Sequence, residues 1–144
     1  MKFHFWYVAF SLFFGGLIIL GYDWLSTTGR LDYGVTPEDI ILISLAVMRL
    51  VRLFTYDKIT KFIRDWFVGA HPESFMGTLG ALLDCPWCTG LWFAAFTVFL
   101  YFAWDGAWYF ILILAIGAVA SFFQVLSNLI GWHAEYKKRE TERL

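Results

Sequence analysis

The chain has 144 residues, of which 60% are apolar and 16% charged, with a formal net charge of −1. A domain of this size has too little interior to hide so much apolar surface from water, so a soluble globular protein is excluded and lipid is the expected solvent. Two cysteines do not make the disulfide framework of a small secreted scaffold, and no nucleic-acid partner is expected.

The first element runs from Phe3 to about Tyr22 with His4 as its only titratable group. Twenty residues at the helical rise span about 30 Å, one hydrocarbon thickness. Only Met1-Lys2 precede it, and Asp23-Trp24-Leu25-Ser26 offers no small-x-small cleavage site, so it reads as an uncleaved signal anchor. A polar connector follows over residues 23–36. The second helix, 38–56, announces itself through Thr36 as N-cap, Pro37 in the first helical position, and Glu38 and Asp39 in the first turn. Its apolar run ends at Arg49 and Arg52, which share a face at i, i+3. Each arginine at bilayer depth costs roughly 2.5–3.5 kcal/mol unless it snorkels or is paired, so this span is a place to look for function.

Beyond Asp57, residues 57–68 place Ile59, Phe62, Ile63, Trp66 and Phe67 on one helical stripe. Lys58, Lys61, Arg64 and Asp65 take the other face. A basic polar face opposite an aromatic one suits a helix lying in the headgroup plane; the plainer alternative packs the stripe on the bundle. Gly69 to Leu83 reads as a loop with at most one short helical or re-entrant turn. Asp84-Cys85-Pro86-Trp87-Cys88-Thr89-Gly90-Leu91-Trp92 then opens a third span, 88–104. Asp105-Gly106 makes a tight turn, and 107–132 is a fourth span without a formal charge, followed by a charged tail, 133–144, expected to be a frayed helix.

Lysine and arginine placement orients these spans. One side collects Lys2, Lys58, Lys61, Arg64, Lys137, Lys138, Arg139 and Arg143, the other only Arg30. Both termini are therefore expected in the cytoplasm. The expectation is an all-α polytopic membrane protein: a single domain with four transmembrane helices and one interfacial amphipathic helix. The bilayer is its first partner, and a second copy or another membrane protein is a further one.

Three groups of residues invite chemistry. Cys85 and Cys88 sit at a helix start, where free amide N–H groups lower a thiol's pKa, and C-P-x-C is a spacing thioredoxin-type enzymes use. Those enzymes set the motif in a βαβ unit, and nothing here reads as a strand. A metal site needs about four ligands, and the cysteines supply half; His4, His71 and His133 fall on the same side without partner spacing. The third reading is that both cysteines pack a helix start flanked by anchoring tryptophans. Second, Ser121, Gln124 and Asn128 share a face of the fourth span near the depth of Arg49 and Arg52, and the two polar faces are expected to satisfy each other. Asp84, Asp57 or Glu73 would neutralise the arginines from the inner interface. This arrangement is either a conduit or pocket for an anion or substrate, or arginines that snorkel and hold the bundle together. Third, the small-residue pairs Ser11/Gly15, Gly90/Ala94 and Gly117/Ser121 mark helix contacts within the chain or between copies. No catalytic motif stands out, no resident cofactor or metal is expected, and no carboxylate pair lies inside a span as a proton relay would require.

In Arg49-Leu-Val-Arg52-Leu-Phe-Thr-Tyr56-Asp57-Lys58 followed by Cys85-Pro-Trp87-Cys88-Thr-Gly90-Leu-Trp92, the chain resembles an uncharacterised family of small bacterial membrane proteins, described as sporulation-protein-like and also met in phage genomes. The resemblance covers about residues 40–130. It implies a helical membrane fold that pairs the two motifs, and it lends no reaction. The expected role is non-enzymatic: an assembling membrane component that recruits lipid or a partner. The alternatives are a holin-like pore former and a membrane thiol-redox or metal-binding protein using Cys85 and Cys88. In the favoured reading the Cys85–Trp92 stretch is half of a structural latch with the Arg49/Arg52 end of the second span.

Overall fold

Thr36 starts the helix around which the others are arranged. In the computed structural model its hydroxyl accepts the Asp39 amide N–H at 3.2 Å, and Asp39 Oδ2 accepts the Thr36 amide at 3.0 Å. This reciprocal capping box, with Pro37 next in line, satisfies N–H groups that a helix start otherwise leaves unpaired. The structure describes residues 5–32 and 34–141. The expected first residues of the opening span (Phe3, His4), Lys2, the connector's Tyr33 and the tail's Arg143 lie outside the described residues.

Six α-helices follow in order among the described residues: α1 (Phe5–Thr27), α2 (Pro37–Thr55), α3 (Lys61–Asp65), α4 (Phe75–Asp84), α5 (Pro86–Ala103) and α6 (Ala107–Thr141). Short 3-10 turns occupy Arg30–Asp32 and Lys58–Thr60, and no strand occurs among the described residues. Three helices, α1, α5 and α6, are long and apolar enough to cross a membrane. The 19-residue α2 is of spanning length but carries Glu38, Asp39, Arg49 and Arg52.

α2 lies between α5 and α6. Its buried stripe Ile43, Ala46 and Leu50 faces Ala107, Ile111, Ala115 and Ala118 of α6, and the alanines on both sides bring the two backbones together. On the α5 side Gly90 comes against Val51, and Phe54 meets Phe93 at 5.0 Å between ring centroids. α1 packs outside α5 through Phe14 on Trp92 (4.8 Å) and Trp24 on Phe99 (5.8 Å). It also touches α4 where Trp6 and Phe10 flank Phe75. These pairings fix the directions: α1 and α5 run one way, α2 and α6 the other. The small-residue pairs divide accordingly. Gly90 and Gly117 admit α2 from its two sides, whereas Gly15 has open space around it.

Arg30 joins the α1–α2 connector to the α5–α6 turn, donating to the Phe102 carbonyl at 3.4 Å and lying 3.8 Å from the Asp105 carboxylate. At the other end of the molecule two elements depart from expectation. The stretch after Asp57 is not one helix through residue 68: a 3-10 turn leads into the five-residue α3, then turns through 66–69 close on Gly69 at φ +83°. The stretch expected as a loop contains the ten-residue α4, whose start is capped by the Ser74 hydroxyl accepting the Gly77 amide at 3.0 Å. The tail is helical as expected: α6 continues unbroken to Thr141, carrying a Glu135–Arg139 ion pair one turn apart. From Phe122 onward every described residue of α6 is exposed.

Candidate functional site

Wherever α2 ends, its last carbonyls lose their intrahelical partners and must find others. Here the following residues supply them. Tyr56 and Asp57 both donate backbone N–H to the Arg52 carbonyl, at 2.9 and 3.1 Å. The Thr60 hydroxyl reaches the Leu53 carbonyl. Arg64 turns inward and places Nη1 2.7 Å from the Phe54 carbonyl and 3.1 Å from the Thr60 hydroxyl, with Nη2 2.9 Å from the Asp57 carbonyl. Arg64 was expected on the polar outer face of an amphipathic helix. The unpaired carbonyls of α2 are the stronger attraction for its five fixed donors, and the chain bends to deliver them.

Arg49 projects from the same end of α2, and its Nη1 lies 3.0 Å from Asp57 Oδ2. Of the three acids expected to neutralise it, Asp57 does so, and Asp84 is exposed. The Arg49 side chain lies along α6 at Gly117, where a Cβ would sit 3.7 Å from Nε. Arg52 has a different environment. It is exposed, has no hydrogen-bond or ion-pair partner for its guanidinium among the described residues, and lines a cleft of about 340 Å³ with Met48, Val51, Tyr56, Pro86 and Trp87.

Pro86 and Trp87, the two residues between the cysteines, form the opposite wall. α4 ends at Asp84, Cys85 takes an extended backbone conformation, and Pro86 starts α5. Cys85 Sγ accepts the Cys88 amide at 3.3 Å and lies 2.6 Å from Cys88 Sγ; both are free thiols. The Cys88 thiol and amide donating to Cys85, together with the Trp87 amide, hold its pKa below the ordinary thiol value. One residue further, the buried Thr89 donates its hydroxyl to the Leu82 carbonyl at 2.6 Å, and Thr55 donates to Leu83 at 3.2 Å. Two hydroxyls thus join the end of α4 to α5 and to α2.

The expected site residues therefore gather only in part. Arg49, Asp57 and Arg64 form one bonded group, Arg52 and Trp87 line the cleft, and Cys85 and Cys88 flank Trp87 in sequence without lining it. Gly90 serves α2 packing, and Trp92 serves the α1 contact, at 6.2 Å from Phe13 and closer to Phe14. Lys58 and Lys61 are exposed. The polar face of α6 does not meet the arginines: Ser121 donates to the Gly117 carbonyl at 2.8 Å, while Gln124 and Asn128 are exposed and bond each other at 3.2 Å. Asp57 supplies from nearby what that face was expected to supply. Among the described residues no three His, Cys, Asp or Glu side chains converge as a metal site would require. Thr55, Thr60 and Thr89 escaped the sequence reading; the adjacency of Thr60 to Tyr-Asp-Lys and of Thr89 to the second cysteine is the only trace they leave.

The family model described as "Protein of unknown function (DUF1360)" matches residues 42–127, from α2 into the middle of α6. "Sporulation protein YjcA" of Bacillus subtilis (strain 168) is 35% identical over 104 residues, covering 60% of this chain and 88% of that protein. No solved structure matches.

Proposed function

The chain belongs to the family of proteins of unknown function DUF1360, and from that membership we propose that it is a non-enzymatic integral membrane protein whose cytoplasmic end recruits lipid or a protein partner. In this reading α2 is a fourth span. Its 19 residues rise about 28 Å. Its acids lie in the first turn, Arg49 is neutralised by Asp57, and Arg52 stands within a turn of the end. Alternating directions of α1, α2, α5 and α6 suit four crossings, and the excess of lysine and arginine at the α2–α5 end supports a reading with that end and both termini in the cytoplasm.

One observation carries the proposal. Arg49, Asp57 and Arg64 are engaged in joining helix ends, while Ile59, Phe62, Trp66 and Trp87 around that joint are 60–89% exposed. A rigid joint surrounded by exposed aromatic and basic side chains is suited to holding something at a membrane surface. The name of the Bacillus relative suggests that the process is spore formation.

Two measurements test this. Native Cys88, probed with a membrane-impermeant maleimide, labels only after permeabilisation. Asp105→Cys in a Cys85→Ser/Cys88→Ser background labels in intact cells. The reverse pattern overturns the orientation. Induced expression leaves the membrane potential unchanged, and an abrupt collapse favours a holin-like pore instead.

A further inference from the structure

The cleft at Arg52 remains unexplained by the joint beside it. We propose that it is a binding site for an anionic glycerophospholipid, whose phosphate sits on the Arg52 guanidinium and whose first acyl segment lies along Met48, Val51 and Trp87. This rests on the membrane reading above and names the lipid site within it.

Charge is the first argument. Arg49 has Asp57, and Arg64 has three oxygen acceptors, whereas the Arg52 guanidinium has no such partner among the described residues. An arginine near a bilayer is costly unless something neutralises it, and no carboxylate among the described residues pairs with this one. Depth is the second. Arg52 stands three residues before the last residue of α2, about 4.5 Å along the axis, which puts its head at the level of lipid phosphates.

The walls supply the third argument. Five of the six lining residues are Met48, Val51, Tyr56, Pro86 and Trp87. A soluble anion would leave those walls wet, whereas the glycerol and upper acyl chain of a lipid would cover them. Trp87 is 89% exposed and Tyr56 64% exposed, and each offers one ring donor on an apolar body, as side chains at headgroup level do. The exposed Lys58 and Lys61 follow just past the end of α2 and add positive potential to this end of the bundle. The unpaired Arg52 charge, with a smaller contribution from that potential, favours a net negative headgroup over a zwitterionic one of the same phosphate chemistry.

The test uses the full chain in nanodiscs of equal phosphatidylglycerol and phosphatidylcholine, with lipids retained on the released protein read by native mass spectrometry. Phosphatidylglycerol is expected to exceed phosphatidylcholine by about tenfold, because choline neutralises its own phosphate and leaves less charge for Arg52 to pair with. Arg52→Gln abolishes that preference, and Arg52→Lys keeps most of it. Lys61→Gln weakens it only slightly. Equal retention of the two lipids by the parent, or an unchanged preference in Arg52→Gln, overturns the site. Displacement of the lipid by millimolar inorganic phosphate overturns it too, in favour of a soluble anion. If the chain fails to enter nanodiscs, the membrane reading falls and the site with it; entry followed by equal retention removes the lipid site alone.

Discussion

Arg49 Nη1 and Asp57 Oδ2 lie 3.0 Å apart although Asp57 stands beyond the end of the helix that carries Arg49. The contact requires the chain to double back at Tyr56, which the two amide bonds to the Arg52 carbonyl enforce. Gly117 completes the arrangement by leaving α6 free of a side chain where the guanidinium lies. A single ion pair therefore couples the end of α2, the following turn and the face of α6.

Because both side chains are only about a quarter exposed, the pair is poorly screened, and removing one member leaves the other uncompensated. Asp57→Asn is expected to lower stability by about 1–3 kcal/mol. Arg49→Met has a similar cost, and the double variant loses clearly less than the sum. Thermal unfolding of the four proteins in one detergent gives the coupling. A coupling near zero would mean that Asp57 acts through the turn alone.

Arg64 serves α2 through geometry as well as charge. Its two terminal nitrogens reach the Phe54 and Asp57 carbonyls at once. Lysine keeps the charge but offers one point donor in place of a planar fork. Arg64→Lys should recover less than half of the loss seen in Arg64→Ala, which is expected near 2 kcal/mol for two charge-assisted bonds. Amide hydrogen exchange at residues 54–58 reads the local effect. Equal protection in the lysine variant would show that charge alone matters.

These contacts also explain what the sequence could and could not reveal. The start of α2 was legible because Thr36, Pro37 and Asp39 act within four residues of one another, and the start of α5 because Pro86 does. The role of Arg64 was not legible, since its partners are main-chain carbonyls, which every residue has. The stripe Ile59, Phe62, Ile63, Trp66 and Phe67 is periodic, yet the helix stops at Asp65 and tightens into i→i−3 turns at Trp66, Phe67 and Val68 that end on Gly69 in the left-handed region. α4 was hidden by Gly77 and Gly80, which lower helix propensity. Close packing requires them: a Cβ on Gly77 would lie 2.2 Å from the His71 carbonyl oxygen, and one on Gly80 2.9 Å from Phe67.

The same distances make a contrasting pair of substitutions. Gly77→Ala cannot be accommodated by a rotamer change, because the obstacle is backbone, and should lower the unfolding temperature markedly or prevent accumulation. Gly15→Ala meets nothing within 4 Å and should be neutral or stabilising by up to about 1 kcal/mol through helix propensity. Expression level and thermal unfolding of both variants, side by side, check this. A damaging Gly15→Ala would instead indicate a helix from a second copy packed on that face.

Cys85 offers a test of the helix start beside the cleft. Its pKa lies below the ordinary thiol value because the Cys88 side chain and then the Cys88 amide donate to it. A depressed value means that the thiolate is present at lower pH than in a free thiol, so alkylation of Cys85 should reach half-maximal rate at a lower pH than alkylation of an unstructured cysteine. Cys88→Ala removes the largest cause and leaves the amide, so the midpoint should move upward without reaching that of an unstructured cysteine. Cys88→Ser, which retains a donor, should fall between the parent and Cys88→Ala. Pseudo-first-order rates with iodoacetamide across pH 6–9.5, with Cys85 identified by peptide mass, provide the measurement. If the parent midpoint equals that of Cys88→Ala, the two sulfurs do not interact in the protein in solution, and Cys85 caps α5 through packing alone.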